Sequence, residues 1–153
     1  MEKMQFKVSE IQVSYRPGFK AIERPKVTSS IQAYEILRQG WNENRMELLE
    51  EFKILLLNRS NRVLGVVMVA SGGFAGVLVD PKVIFSVAVK CGAHGIILAH
   101  NHPSWELLPS AADINLTGRL KAGGKLLGIE VFDHLILSPD GYYSFGNEGL
   151  MPV

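Results

Sequence analysis

The sequence predicts an α/β (α+β) fold with a mixed central sheet flanked by helices. Apolar runs of strand length alternate along the chain with capped, amphipathic helical segments. The length of 153 residues suits about one domain, and 47% hydrophobic with 20% charged residues is ordinary for a folded protein. Residues 1–24, where apolar residues recur between Phe6 and Tyr15, are predicted to form an N-terminal arm or strand, and residues 25–153 the domain.

The first half of the domain is predicted to contain one helix followed by three strands. Ser29 and Gln32 have the spacing of a capping box, so a helix is expected to begin there. Gly40 and Trp41 are expected to interrupt this helix before Leu48. The strands are apolar runs bounded by polar turns. They are predicted at Phe52–Leu57, Val63–Val69 and Val77–Val79.

The second half is predicted to contain two helices among three strands. Asp80 caps the first helix, Pro81 suits its first position, and Gly92 stops it. Ser110 caps the second helix, which the pair Gly123-Gly124 is expected to end. The strands are predicted at Gly95–Ala99, Ile129–Leu137 and Tyr142–Phe145.

A metal site is predicted where the buried strand Gly95–Ala99 ends. His100 and His102 follow this strand, and period-2 geometry points both imidazoles out of one face. Ser110 and Asp113 have the spacing of a helix cap and first turn, which brings a carboxylate back toward the strand end. Each residue alone has an ordinary structural explanation. Together, two imidazoles and one carboxylate with a position open to water match a catalytic zinc.

A catalytic zinc needs a base for the water that it acidifies, and the candidate is an upstream glutamate. Glu50 precedes the strand Phe52–Leu57, and alternation places it on the face of Phe52. Glu51 would share the opposite, exposed face with Lys53. We therefore predict that Glu50 is the base, with Glu51 as the alternative.

Taken together, these residues resemble the motif of JAMM (MPN+, JAB) metalloproteases. The motif has an upstream Glu, then His-x-His-Pro, six residues, and Ser-x-x-Asp. The flanking segments Leu126–Ile129 and Asp133-His134 resemble the RadC-like branch, and the resemblance covers roughly residues 25 to 147. The residues at the motif positions are Glu50, His100, His102, Pro103, Ser110 and Asp113.

The resemblance implies a cytidine-deaminase-like JAB/MPN fold and a zinc metallopeptidase activity. By that resemblance, Zn²⁺ is bound by His100, His102 and Asp113. Glu50 would be the general acid/base, and Ser110 would help to stabilise the tetrahedral oxyanion. The reaction implied is hydrolysis of a peptide or isopeptide bond in a peptide or protein substrate by zinc-activated water.

The chain departs from the RadC-like pattern at two points. Ser104-Trp105-Glu106 stands where Ser-Gly-Asp is usual, so the bulky Trp105 alters the active-site loop. The segment before Thr28 is too short for the N-terminal helix-hairpin-helix region that suggests DNA contact. An alternative function is a non-enzymatic, zinc-binding accessory protein of DNA repair or DNA metabolism. His134 is expected to support a ligand or to serve packing, not to be a fourth ligand.

Charge and hydropathy exclude several classes of protein. A net charge of +1 and a pI near 7.9 give no broad basic field, so nucleic-acid binding is only weakly supported. The lone Cys91 cannot form an intramolecular disulfide, and no apolar run reaches the roughly 18 residues of a membrane span. Residues 1–5 lack a signal-peptide core, so a cytoplasmic location is expected. The sequence makes no prediction of oligomeric state.

Overall fold

The computed structural model describes residues 5–73 and 77–153 of the chain. Five strands form its central sheet: β1 (Glu51–Leu57), β2 (Val63–Ser71), β3 (Gly95–Asn101), β4 (Glu130–Ser138) and β5 (Gly141–Ser144). Their order across the sheet is β2-β1-β3-β4-β5. β3 is antiparallel to β1 and parallel to β4, and β2 and β5 pair antiparallel at the two edges. The predicted mixed sheet is confirmed.

Helices flank both faces of this sheet, as predicted. Asp80 caps the helix Pro81–Lys90, because its Oδ1 accepts the Lys82 N–H at 2.9 Å. Pro81 occupies the first turn of this helix. The helices are α1 (Ser30–Gln39), α2 (Glu43–Met46), α3 (Pro81–Lys90) and α4 (Ala111–Leu127), and a 3₁₀ turn covers Ala21–Glu23.

The sheet separates two hydrophobic cores. Leu55 and Ile97 face the layer of α1 and α2, whereas Ile54 and Leu98 face the layer of α3 and α4. Successive side chains of a strand point to opposite faces, so each strand contributes to both cores. All seven residues of the central strand β3 are buried. This strand therefore gives the site that follows it a rigid support.

One predicted helix end is wrong. α4 runs through Gly123 and Gly124 to Leu127, and it ends at Gly128, whose φ of +70° is left-handed. A Cβ at Gly124 would lie 2.4 Å from the carbonyl oxygen of Ile129. Glycine is therefore needed there for close packing against the segment that enters β4, not for stopping the helix.

Two other predictions have different outcomes, one wrong and one confirmed. Residues 77–79 form an irregular connection and not the predicted third strand, and Val77 and Val79 pack on the core beside α3. The helix that follows Ser29 ends at Gln39, and α2 is separate from it. The expected interruption at Gly40 is thus confirmed.

The described part of the N-terminal arm lies on the surface. Residues 5–20 are exposed and contain no strand. Tyr15 anchors the arm to the edge of the sheet, because its hydroxyl donates to the carbonyl of Leu64 at 2.6 Å. The division of the chain at residue 24 remains a prediction. In the described ranges, no helix combines the length and the apolar character that crossing a membrane requires.

Candidate metal centre

The two histidines converge at the carboxyl end of β3. His100 occupies the strand and is 1% exposed, and His102 follows it on the same face. Their Nε2 atoms are 2.9 Å apart. This placement follows from the period of the strand and matches the sequence prediction that both rings share one face.

Asp113 reaches the same point from the first turn of α4. Its Oδ2 atom lies 3.4 Å from His100 Nε2 and 3.3 Å from His102 Nε2. A capping box holds the carboxylate, since Asp113 Oδ2 accepts the Ser110 N–H at 2.9 Å and Ser110 Oγ accepts the Asp113 N–H at 3.1 Å. The carboxylate that completes the capping box is therefore also the candidate ligand.

Glu50 lies just before β1 and faces the histidine pair. Its Oε1 atom is 3.9 Å from His100 Nε2 and 3.8 Å from His102 Nε2. One donor atom from each of these three residues lies within 4.8 Å of the others, so the group could hold a metal ion.

The donor set fits a tetrahedral metal such as zinc. Ligand atoms about 2.1 Å from a tetrahedral zinc lie about 3.4 Å from one another. The two distances from Asp113 to the histidine nitrogens have this value, at 3.4 and 3.3 Å, and the two nitrogens are closer to each other, at 2.9 Å. Glu50 lies further out, at 3.9 and 3.8 Å. The distances therefore favour His100, His102 and Asp113 as the ligand set and Glu50 as a neighbour of the fourth position.

The segment that carries Glu50 is fixed by Asn101, a residue that the sequence prediction missed. Asn101 Oδ1 accepts the Glu51 N–H at 2.7 Å, and Nδ2 donates to the carbonyls of Met46 at 2.7 Å and Leu49 at 2.8 Å. The amide is fully buried. The only sequence signal for this role is a polar residue inside an apolar strand, between the two histidines.

Glu51 does not lie on an exposed face, contrary to the prediction. It is 1% exposed, and its Oε1 atom pairs with Arg45 Nε at 3.1 Å. The reason is that α2 covers this face of the sheet, so the side chain is enclosed beside Lys53 instead of reaching water. Glu51 points away from the histidines and is no longer an alternative base.

Both imidazoles have a hydrogen-bond partner behind them. His102 Nδ1 donates to the carbonyl oxygen of Glu106 in the loop that follows. His100 Nδ1 lies 2.7 Å from His134 Nε2. Phe52 stacks on the His100 ring with centroids 5.8 Å apart. A partner at Nδ1 holds each ring with Nε2 directed toward the site.

Burial and neighbouring charges give the two carboxylates different pKa values. Burial raises the pKa of Glu50, and the attraction of the two histidines offsets only part of this effect. Burial also acts to raise the pKa of Asp113, but its close contacts with the His100 and His102 rings outweigh it and hold that pKa well below its usual range. Asp113 therefore stays ionised, while Glu50 takes up a proton more readily. A pair of carboxylates separated in this way can divide ligand and acid/base roles.

The histidines also differ in their pKa values. Burial lowers the pKa of His134 well below its ordinary value, and the nearby His100 adds to this effect. Burial acts to lower the pKa of His102 as well, but hydrogen bonds with Asp113 and with a backbone carbonyl reverse the direction, so the pKa is raised. The buried His134 is consequently a neutral ring.

The site opens into a surface cleft of about 630 Å³. Its polar wall includes Glu50, His102, Asp113 and Ser110, which places the predicted oxyanion residue beside the candidate ligands. The apolar wall is formed by Val77, Leu78, Leu108 and Ala112.

The loop between β3 and α4 has an unusual backbone conformation at Trp105. Its φ is +69°, in the left-handed region that favours glycine. The indole Nε1–H donates to the carboxylate of Glu47, which joins the loop to the segment after α2. The altered loop predicted from the sequence thus keeps the turn of a glycine with a bulky side chain.

The motif and the sheet agree with a match to a known protein family. Residues 27–150 match the family described as the RadC-like JAB domain. The chain belongs to the RadC-like JAB domain family. The resemblance of the motif residues to that family is thereby confirmed, and so is the expected JAB/MPN type of fold.

Curated relatives of this RadC-like JAB domain come from distant bacteria. A UPF0758 protein of Flavobacterium johnsoniae is 42% identical over 125 residues, which are 82% of this chain and 53% of that protein. A UPF0758 protein of Aquifex aeolicus is 44% identical over 128 residues, or 84% and 54% of the two chains. A third, of Symbiobacterium thermophilum, is 44% identical over 103 residues, or 67% and 44%. The chain spans about half the length of these relatives.

Proposed function

We propose that this RadC-like JAB domain is a zinc-dependent hydrolase that cleaves a peptide or isopeptide bond. One observation supports the proposal most strongly. Two histidine Nε2 atoms and the Asp113 carboxylate meet within 3.4 Å of one another at the wall of an open cleft, with a second carboxylate, Glu50, beside them. Structural zinc sites usually have four protein ligands and no open position, so this donor set favours catalysis.

His100, His102 and Asp113 would hold the zinc ion. When bound in such a site, zinc lowers the pKa of a coordinated water to about 7 and polarises a carbonyl oxygen. The residues themselves prepare this set before any ion binds. The capping box fixes Asp113, and hydrogen bonds at Nδ1 orient both imidazoles.

Glu50 would move the proton in the reaction. It accepts a proton from the attacking water and donates it to the leaving amine, as a general base and then a general acid. Burial raises its pKa in the metal-free site, and a carboxyl group with a higher pKa is a better base when ionised. The hydrogen bonds of Asn101 to Glu51 and Leu49 hold the backbone of Glu50 in place during the proton transfer.

Ser110 would stabilise the oxyanion that develops on the carbonyl of the substrate. Its Oγ atom accepts the Asp113 N–H, so the hydroxyl hydrogen is available to donate into the cleft. A donor placed there stabilises negative charge in the transition state more than in the ground state.

The lining of the cleft supports a peptide or protein substrate. Val77, Leu78 and Leu108 add apolar surface to the lining of the cleft, which suits the side chain of a peptide next to the bond that is cut. We therefore propose a peptide or protein substrate, in agreement with the resemblance to JAMM metalloproteases.

The test is hydrolysis of a peptide and isopeptide panel by the zinc-loaded chain and by Glu50→Gln. We expect turnover by the native chain and a loss of at least about 100-fold in Glu50→Gln, the lower end of the usual contribution of general acid/base catalysis. Glu35→Gln makes the same change at an exposed position of α1 and should leave turnover unaltered. Full turnover in Glu50→Gln would remove Glu50 from the mechanism. A zinc-loaded chain that cleaves nothing and unfolds on chelation would favour a structural metal.

A further inference from the structure

A chain of hydrogen bonds runs from His100 into the core beneath the candidate metal centre. His100 Nδ1 lies 2.7 Å from His134 Nε2, and His134 Nδ1 lies 2.6 Å from Thr117 Oγ1. Thr117 Oγ1 donates to the carbonyl oxygen of Asp113 at 2.7 Å. His100 is 1% exposed, and His134 and Thr117 are 0% exposed. Solvent therefore cannot replace any partner in this chain.

The Asp113 carbonyl at the end of these hydrogen bonds determines which atom donates in each of them. A carbonyl only accepts, so the single hydroxyl hydrogen of Thr117 is used there and its oxygen accepts from His134 Nδ1. His134 is 0% exposed and its two ring nitrogens contact a hydroxyl and an imidazole, not a carboxylate. A buried charge without an opposite partner is costly, so the ring has one N–H and its Nε2 accepts from His100 Nδ1. The result is that His100 carries its proton at Nδ1 and has a free lone pair at Nε2.

The opposite arrangement of donors and acceptors would prevent His100 from binding a metal. If Thr117 donated to His134, then His134 Nε2 would donate to His100 and the His100 proton would lie on Nε2. That nitrogen faces the Asp113 carboxylate at 3.4 Å and would have no lone pair for a metal. Both orders contain the same number of protons, so they differ only in tautomer.

We propose that Thr117 and His134 are positioning residues that select the metal-binding tautomer of His100. Thr117 lies one helical turn after Asp113, so α4 brings in a carboxylate ligand and also sets the tautomer of an imidazole that faces it. His102 reaches the same state more directly, because a backbone carbonyl accepts from its Nδ1. The proposal rests only on the metal-binding part of the proposed function and requires no peptidase activity.

The test compares Thr117→Val with Thr117→Ser. Valine keeps the shape of threonine but has no hydroxyl, whereas serine keeps the hydroxyl. Zinc affinity is measured by competition with a chelator. We expect a loss of about 10-fold in Thr117→Val, the lower end of the usual effect of removing a direct partner of a metal-ligating histidine, because Thr117 acts through His134. We expect Thr117→Ser to bind within about threefold of the native chain, since its hydroxyl preserves the partner.

A second readout distinguishes the tautomer from a general loss of packing. Long-range ¹H–¹⁵N spectra of the metal-free native chain should show the proton on Nδ1 in both His100 and His134. In metal-free Thr117→Val, where neither Thr117 nor zinc fixes the order, the His134 proton should move to Nε2. A native His134 protonated at Nε2 would overturn the proposal, even if the valine variant failed to fold. Unchanged zinc affinity in a folded Thr117→Val would also overturn it. If only the proposed function is wrong, the expected tautomers are observed and zinc binds, but no peptide is cleaved.

Discussion

Asn101 holds the backbone on both sides of Glu50. Its side chain accepts the Glu51 N–H at 2.7 Å and donates to the Leu49 carbonyl at 2.8 Å. Asn101 belongs to the strand that presents the histidines but points to the opposite face of the sheet. The strand that supplies the candidate ligands therefore also positions the candidate base.

Replacement of Asn101 should weaken both the fold and the site. Asn101→Ala leaves a buried N–H, a buried carbonyl and a partly buried carbonyl without this partner, so we expect the free energy of unfolding to fall by about 2–4 kcal/mol. Urea denaturation measures this change. Asn44→Ala alters an exposed asparagine nearby and should cost less than about 0.5 kcal/mol. Equal stability of the two variants would mean that the hydrogen bonds of the Asn101 side chain do not stabilise the fold.

The metal-free protein should lose stability as the pH falls below about 6.5, the ordinary pKa of histidine. The folded-state pKa of His134 is lowered by burial and by His100, so the unfolded chain binds a proton that the folded chain does not. Stability therefore rises with pH through this window and is lost on acidification. His102 and Glu50 have raised pKa values and act in the opposite direction, His102 above the same pH and Glu50 above its ordinary pKa of about 4.3.

His134→Gln provides the comparison for this pH dependence. Glutamine does not titrate, so the decline of unfolding free energy between about pH 6.5 and pH 5 should be shallower than in the native chain. The measurement is urea denaturation of chelator-treated protein across that range. A native curve that stays flat, or a variant with the same slope, would assign the acid sensitivity to other groups.

Trp105 should be less well replaced by alanine than by glycine. The residue has a φ of +69°, and a left-handed backbone costs a non-glycine residue about 1–2 kcal/mol. Both substitutions remove the indole and its hydrogen bond to Glu47, so their difference isolates the backbone cost. We expect Trp105→Gly to be more stable than Trp105→Ala by about 1 kcal/mol, and urea denaturation would show this. The reverse order would mean that the loop relaxes to another conformation.

The sequence predicted the sheet and the candidate ligands because both depend on short-range periodicity. Alternation along β3 suffices to place His100 and His102 on one face, and the spacing of Ser110 and Asp113 is that of a helix cap. These relationships depend on a few neighbouring residues, so they can be read without knowing the tertiary contacts.

The errors and one omission concern contacts between separate elements of the fold. Gly124 looks like a helix stop, but its role depends on the approach of Ile129. Glu51 looks like a surface residue, but α2 covers it and Arg45 pairs with it. Thr117 is an ordinary polar residue of a helix until the fold brings His134 against it. None of these contacts has a local pattern that would reveal it.

Zinc content of the freshly purified chain, measured by elemental mass spectrometry, tests the metal centre most directly. Asp113→Asn and Asp113→Ala are the matched variants, because asparagine keeps an oxygen for the helix cap and alanine removes both cap and ligand. We predict about one zinc per native chain and a loss of zinc in both variants. A native chain without metal even after zinc is offered, or Asp113 variants that retain it in full, would contradict the proposed centre.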